Sequence, residues 1–358
     1  MIKYLGSKRL LIPSLQAMFE SIKPVSAVDV FTGTTRVAQS LCRTGAFTYT
    51  IDTASYSEIL SQCYVEADCT KIDLDQIRTI IAKLNQLAPT PGYFTEVFCE
   101  KARYFHPKNG ARIDAIRDYI EANFPHGQLR AILLTSLLEA ADRVDSTVGL
   151  QMAYLKQWAP RALKDLELRV PELTPGTGKA IRGDALEKIQ ELPPVDLAYL
   201  DPPYNQHRYY TNYHIWETLV RWDHPEYYGV ACKRVDAKDD ETKSVFNKKN
   251  QMPLALAEVV KQLKARTLIL SFNNEGFVPL EELIAMCDAR GGSTIAIPFK
   301  FRRHVGAKIG IHSPSGEKVG TVGKTENLEY IILNGQGPIL ERMRNALGPI
   351  VGANANTL

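Results

Sequence analysis

The tetrapeptide Asp201-Pro202-Pro203-Tyr204 is the part of the sequence best suited to chemistry, and it directly follows the apolar stretch 195–200. A short apolar stretch bounded by turn residues is typical of a buried β-strand. Two consecutive prolines end that strand, because proline has a fixed φ and no amide hydrogen to donate to a sheet. The pattern therefore predicts a carboxylate, carbonyl acceptors and an aromatic ring on a rigid turn. Such acceptors suit a substrate group with hydrogens to donate, and the alternative is an ordinary strand-ending turn.

A second candidate site lies near the N-terminus, where small residues at 32–35 follow the apolar stretch 25–31. The periodicity predicts a strand over 25–31, a helix over 36–43 and a second strand over 47–51 that ends at Asp52. In dinucleotide-binding folds, an acid about 20 residues beyond the small-residue turn reaches the ribose hydroxyls. This βαβ unit indicates a nucleotide-type cofactor, with a strand-end cap as the alternative role of Asp52.

The remaining chain divides into a helical middle and a second set of strands. Between about 72 and 171 helical periodicity replaces the strand pattern, with Ile113, Ile116 and Ile120 on one helix face and a buried helix over 129–144. Strands are predicted again at 195–200, 267–272, 293–301 and 327–333. The order predicts a sheet that is interrupted by a helical insertion and then resumes.

The segment 176–179 resembles a phosphate-binding loop only in part. Such a loop needs glycine where Leu173 stands and serine or threonine where Ala180 stands. We therefore interpret it as a linker through which the insertion returns to the sheet.

Composition narrows the class of protein. The chain has 358 residues, 45% hydrophobic and 23% charged, which is ordinary for a globular protein. No apolar run approaches the roughly 20 residues that span a bilayer, and the N-terminus is unlike a signal peptide. Six scattered cysteines without a CxxC pair argue against a zinc site or disulfide framework, and a net charge of +3 is too small for a dedicated nucleic-acid coat protein. We expect a cytoplasmic protein with reduced thiols.

The motifs, taken in chain order, resemble those of the Dam-like, alpha-group adenine-specific DNA methyltransferases of the DPPY type. The elements that carry the resemblance are Tyr4-Leu5-Gly6-Ser7-Lys8-Arg9, Asp29-Val30-Phe31-Thr32-Gly33, Asp52, Gly183-Asp184-Ala185 and Asp201-Pro202-Pro203-Tyr204. The resemblance implies an α/β fold: a Rossmann-like sheet that binds S-adenosylmethionine, with a late antiparallel hairpin and a helical target-recognition insertion. The implied catalytic domain comprises 1–70 and 175–358, and the insertion comprises 71–174.

The resemblance also implies roles for individual residues. The implied catalytic residues are Asp201, Pro202, Pro203 and Tyr204. The implied cofactor-binding residues are Tyr4, Lys8, Asp29, Phe31, Thr32, Gly33, Thr34, Asp52, Asp184 and Asp201. Lys8 is expected to neutralise the methionine carboxylate, with a surface lysine as the alternative, and Asp184 is either an adenine-binding acid or a helix cap. Thr35 departs from the pattern, because the family usually has a second glycine there.

The resemblance also gives the basic segments of the chain an expected partner, which is DNA. The implied nucleic-acid-binding residues are Arg112, Arg130, Arg208, Tyr210, Arg302, Arg303 and Lys308. They come from the basic segments 101–130 and 300–330 and from 208–216, where aromatic and polar residues alternate as on a base-stacking surface. The alternatives are solvated charged faces and core aromatics.

The expected function is transfer of a methyl group to the N6 amine of a flipped-out adenine in duplex DNA, in a restriction-modification system. Direct displacement needs no metal. The alternatives are N4-cytosine DNA methylation, methylation of an RNA or of a protein side-chain amide, and a non-catalytic nucleic-acid-binding module. The expected partners are double-stranded DNA and a cognate restriction endonuclease, with a monomeric or dimeric enzyme near the bacterial nucleoid.

Overall fold

The structure is a computed structural model that describes residues 2–206, 208–302 and 326–348. Its strands are β1 Ser26–Val30, β2 Phe47–Asp52, β3 Gly178–Arg182, β4 Val195–Leu200, β5 Tyr227–Tyr228, β6 Lys233–Arg234, β7 Ala265–Asn273, β8 Ser293–Arg302 and β9 Glu326–Gly335. Seven of these form one sheet in the order β3-β2-β1-β4-β7-β9-β8, and β5 pairs with β6.

The sheet is mostly parallel and ends in an antiparallel hairpin. β3, β2, β1, β4 and β7 run parallel, whereas β9 runs antiparallel between β7 and β8. Helices cover both faces of the parallel strands, so the central strand β4 is buried at nearly every position rather than at alternate ones. The α/β class and the late hairpin expected at 293–301 and 327–333 are confirmed.

The described part of the chain contains thirteen α-helices. They are α1 Ile12–Ile22, α2 Arg36–Arg43, α3 Ser55–Ser61, α4 Leu74–Asn85, α5 Tyr93–Thr95, α6 Pro107–Asn123, α7 Gly127–Arg143, α8 Ala185–Lys188, α9 Tyr209–Asn212, α10 His214–Arg221, α11 Met252–Gln262, α12 Leu280–Asp288 and α13 Gly337–Ala346. α1, α2 and α13 contribute to the apolar core on one face of the sheet, and α8, α11 and α12 to the core on the other. None of these described helices is long and apolar enough to cross a bilayer.

Helices α4 to α7 lie in the segment expected to be an insertion. Their buried apolar residues, such as Phe94, Ile116 and Leu134, form one cluster with Ile215 and Trp216 of α10. A later part of the chain therefore completes the core of the helical region. The division into 1–70 with 175–358 and 71–174 remains a proposal.

The linker expected at 176–179 is wrong for its second half, because Gly178 and Lys179 begin the edge strand β3. A Cβ atom at Gly178 would lie 2.2 Å from the carbonyl oxygen of Thr48, so only glycine allows the two strands to approach. The strand carries no long apolar run, since β3 is only partly buried. That composition explains why it resembles a linker.

Candidate active site

The carboxyl ends of β1, β2 and β4 open into a cavity of about 770 Å³. Ligands of open α/β sheets bind at this edge. All the residues expected to bind a cofactor line it, namely Tyr4, Lys8, Asp29, Phe31, Thr32, Gly33, Thr34, Asp52, Asp184 and Asp201. Residues separated by up to about 200 positions along the chain are thus brought to one wall.

The turn between β1 and α2 has unusual backbone geometry. Phe31, Gly33 and Thr35 have φ values of 66°, 55° and 63°, in the left-handed region. A Cβ atom at Gly33 would lie 3.0 Å from Cε1 of Tyr4. Thr35 is fully buried, and its hydroxyl donates to the Thr34 carbonyl at 2.6 Å. Threonine therefore follows the backbone path of the expected second glycine, at a cost of about 1–2 kcal/mol.

Acids at the ends of β1 and β2 fix the surrounding loops. Asp29 accepts from the Ala38 amide at 3.0 Å, and Asp52 accepts from the amides of Gly33 at 2.8 Å and Ala54 at 2.9 Å. Burial raises the pKa of Asp52, and burial together with the nearby Asp201 raises the pKa of Asp29 well above its ordinary value. Both carboxylates lie in the cavity wall as well as bonding to the backbone.

Asp184 caps α8, and its Oδ1 accepts from the Leu186 amide at 2.8 Å. The cap role that sequence left open for it is therefore observed. Asp184 also lines the cavity, so a cap and a ligand contact are compatible.

The predicted catalytic turn lies at the end of β4. Asp201 Oδ1 is 2.8 Å from Nζ of Lys8, whose ammonium is also 2.7 Å from Oε1 of Glu329. Burial raises the pKa of Asp201 to about 6, while Lys8 lowers it and Glu329 raises it. Pro203 lines the cavity, and Tyr204 is half-buried against Phe272 with ring centroids 5.8 Å apart.

Glu329 is a site residue that the sequence analysis does not single out, because it lies within the basic segment 300–330. It lies on β9 with a side chain 8% exposed, and it accepts from Ser271 Oγ at 2.7 Å and Asn273 Nδ2 at 3.3 Å. Ile331 and Leu333 follow it at period two and are buried. A buried acid within such an apolar row needs a polar partner. This pattern in the sequence therefore identifies Glu329 as a residue with a specific role.

The stacking surface expected over 208–216 is largely wrong. Tyr213 and Trp216 are buried in the apolar core. Tyr213 and Tyr209 are four residues apart and share one helical face, from which both stack on Tyr4 at centroid distances of 4.5 and 5.3 Å. Tyr210 reaches the cavity wall, but its hydroxyl bonds to Asp236 at 3.0 Å.

The remaining residues expected to bind nucleic acid are dispersed. Arg112 bonds to the Asn85 carbonyl at 3.0 Å, and Arg130 pairs with Glu121 at 2.9 Å, so both are tied to the helical region. Arg208 lines the cavity. Arg302 ends β8, and its side chain lies outside the description, as do Arg303 and Lys308 altogether. Their roles stay predictions.

Comparison with known proteins decides the family. A family model described as D12 class N6 adenine-specific DNA methyltransferase matches residues 4–282. The chain belongs to this family. The matched residues include β1, the cavity-lining acids Asp29, Asp52 and Asp184, and the Asp201 turn.

Three named bacterial methylases and methyltransferases resemble the chain over most of its length. It is 29% identical to modification methylase StsI of Streptococcus sanguinis over 79% of the chain and 45% of the relative. It is 28% identical to modification methylase LlaI of Lactococcus lactis subsp. lactis, over 79% of the chain and 48% of the relative. The type II methyltransferase M.NlaIII of Neisseria lactamica is 26% identical, over 84% and 92%. The chain thus spans about half the length of the first two relatives.

Proposed function

We propose that this chain transfers a methyl group from S-adenosylmethionine to the N6 amine of a flipped-out adenine at a specific site in duplex DNA. The observation that carries the proposal is the turn Asp201-Pro202-Pro203-Tyr204, whose Asp201 and Pro203 line the cavity together with the three strand-end acids Asp29, Asp52 and Asp184. Membership of the D12 class supports adenine as the target.

The cavity fits the cofactor by size and by chemistry. Its volume of about 770 Å³ lies within the range of small-ligand pockets. Asp52 and Asp184 line the cavity with carboxylates suited to ribose hydroxyls and to an adenine amine, and Gly33 lies in the same wall. When bound, S-adenosylmethionine supplies an electrophilic methyl group.

The turn provides hydrogen-bond acceptors that an adenine amine needs in order to act as a nucleophile. The lone pair of this nitrogen is delocalised into the ring, so it attacks only when its hydrogens are held by acceptors that direct the pair toward the methyl group. The Asp201 carboxylate and the Pro202 carbonyl are those acceptors, and they stabilise the positive charge that develops on nitrogen. Because burial raises the pKa of Asp201 to about 6, this carboxylate also suits the proton that the methylated nitrogen gives up.

Tyr204 is proposed to stack on the flipped base. The amine is inaccessible within a duplex, so the nucleotide must leave the helix before reaction. The Tyr204 ring is braced by Phe272 behind it, and the amide of Phe277 donates to its carbonyl at 3.0 Å. A ring held in this way provides a fixed platform for a base.

A further proposal concerns the setting of the enzyme. The relatives are named modification methylases, and we propose that this chain likewise protects DNA beside a cognate restriction endonuclease. N4-cytosine methylation remains the main alternative, because the same turn serves that amine.

We predict that Arg36 binds the carboxylate of the cofactor. Lys8, to which sequence assigned this role, is held by Asp201 and Glu329. Arg36 lines the cavity, and its buried Nε has no hydrogen-bond partner among the described residues. Burial and the neighbouring Arg9 lower the pKa of this guanidinium, and an incoming carboxylate would offset both effects.

Calorimetric titration of Arg36→Met with two ligands tests this assignment. The affinity for S-adenosylhomocysteine should fall by about tenfold or more, since a charged hydrogen bond contributes about 1.5–3 kcal/mol. The affinity for 5′-methylthioadenosine, which lacks the amino-acid group, should not change. An equal loss for both ligands contradicts the assignment, and a selective loss in Lys8→Met instead would return the role to Lys8.

The function is tested by offering labelled S-adenosylmethionine to duplex DNA, RNA and a protein mixture in parallel. We expect label in duplex DNA alone. Label in RNA or protein, or none in any acceptor, would reject the proposal.

A further inference from the structure

A row of three charged side chains, two of them buried, joins the catalytic turn to β9 at the same edge of the sheet. Nζ of Lys8 lies 2.8 Å from Asp201 Oδ1 and 2.7 Å from Glu329 Oε1, and the side chains of Lys8 and Glu329 are each 8% exposed. Glu329 is itself fixed by Ser271 and Asn273 of β7. The lysine therefore lies between one anchored carboxylate and the Asp201 carboxylate at the cavity wall.

Burying charged side chains is costly, and a simple structural bridge to Asp201 does not require a third charge. An ammonium and a single carboxylate already neutralise each other, and isolated buried pairs seldom stabilise a fold more than apolar packing does. The second acid leaves the group with a net negative charge next to the reacting centre. This arrangement points to a role in tuning Asp201.

We propose that Glu329 is a positioning residue that holds Lys8 against Oδ1 of Asp201, leaves Oδ2 for the target amine, and sets the pH range in which Asp201 is active. The inference rests on the proposed methyl transfer. Glu329 does not touch the substrate in this account, because it acts through Lys8.

Other ionisable groups around Asp201 do not share this position. Asp29 on β1 faces it and is bonded to the Ala38 amide. Tyr199, Tyr204 and Tyr209 also face it, but burial raises the pKa of each phenol, so all three are neutral near pH 7. Lys8 and Glu329 therefore supply the charges that differ between the variants described next.

The two partners should shift the pH dependence in opposite directions. Glu329→Gln removes a negative charge and leaves Lys8 to pair with Asp201 alone, so the pKa of Asp201 falls and activity extends to lower pH. Lys8→Met leaves Asp201 facing Glu329, so the pKa of Asp201 rises. As the pH is lowered, this variant therefore loses activity at a higher pH than the wild-type chain does. A residue that only supports the fold would lower the rate without moving the profile in this way.

The experiment measures initial rates of DNA methylation from about pH 5 to 8.5 at saturating cofactor and DNA for the wild-type chain, both variants and Ser271→Ala. The acid limb should move down by at least about 0.5 pH unit in Glu329→Gln and up by a similar amount in Lys8→Met. Ser271→Ala removes one hydrogen bond from Glu329 but no charge, so its limb should stay in place. An unmoved limb in Glu329→Gln, or shifts of the same sign in both variants, overturns the inference.

A second readout separates this inference from the proposed function and covers a Lys8→Met variant that does not fold. Aspartate labelled with ¹³C at the carboxyl carbon allows the titration of Asp201 to be followed by NMR, with its signal assigned by Asp201→Asn. Glu329→Gln should lower that titration midpoint whether or not DNA is the substrate. If the wild-type chain methylates no DNA, the proposed function fails, and the NMR titration still decides the role of Glu329.

Discussion

Replacing Asp201 with asparagine is expected to reduce methyl transfer by at least about 10²–10³-fold, the loss typical when a transition-state hydrogen-bond partner is removed. The variant keeps the shape of the side chain but not its charge. Lys8 lies 2.8 Å from Oδ1 and needs an acceptor there, so the amide oxygen should turn toward it. The amide NH₂ then faces the target amine, where a donor cannot hold its hydrogens.

Single-turnover rates with saturating DNA measure this loss, and calorimetry with S-adenosylhomocysteine provides the control. Affinity for that ligand should be largely unchanged, because Asp201 serves the target amine. A near-wild-type rate would show that Asp201 does not orient the amine. A loss of ligand affinity that accounts for the whole effect would instead place Asp201 in the cofactor site.

Gly33→Ala is expected to weaken cofactor binding by more than about tenfold, with a loss of about 1–2 kcal/mol in the free energy of unfolding. Gly33 has a φ of 55°, and a Cβ atom would lie 3.0 Å from Cε1 of Tyr4. Tyr4 cannot easily retreat, because its ring packs against both Tyr209 and Tyr213. The new methyl group therefore displaces the turn in the cavity wall. This displacement disturbs the Gly33 amide, which donates to Asp52.

Gly45→Ala is a matched control for this substitution. Gly45 has a φ of 89°, so alanine incurs a similar backbone strain, but its Cβ atom would meet nothing within 4 Å. Both variants should lose stability in urea titrations, and only Gly33→Ala should lose affinity for S-adenosylhomocysteine. Equal affinities would show that the turn at Gly33 does not contact the cofactor.

The parts of the site that sequence predicts are those encoded locally. β1, α2 and β2 follow from apolar runs separated by small residues, and α2 spans the predicted residues 36–43. The Asp201 turn is equally local, because two prolines end β4 wherever the strand lies in the fold. Parallel strands then bring their carboxyl ends to one edge, which places the expected acids in one cavity.

The contacts that sequence could not supply join distant residues. Lys8 and Glu329 are 321 positions apart, and their pairing depends on β9 lying next to β7. Tyr4 and Tyr213 meet for a similar reason, since α10 completes the helical core. Lys8 thus has two acids as partners, where sequence predicted a ligand carboxylate. The edge strand β3 was missed because edge strands carry a weak apolar signal.

The identity of the methylated nucleoside tests the account most directly. Plasmid DNA from a host that expresses this chain, and from one that expresses Asp201→Ala, is digested to nucleosides and measured by mass spectrometry. The account predicts N6-methyladenine above the host background with the wild-type chain and background levels with the variant. N4-methylcytosine, or no methylated nucleoside from a folded chain that binds S-adenosylmethionine, would contradict it.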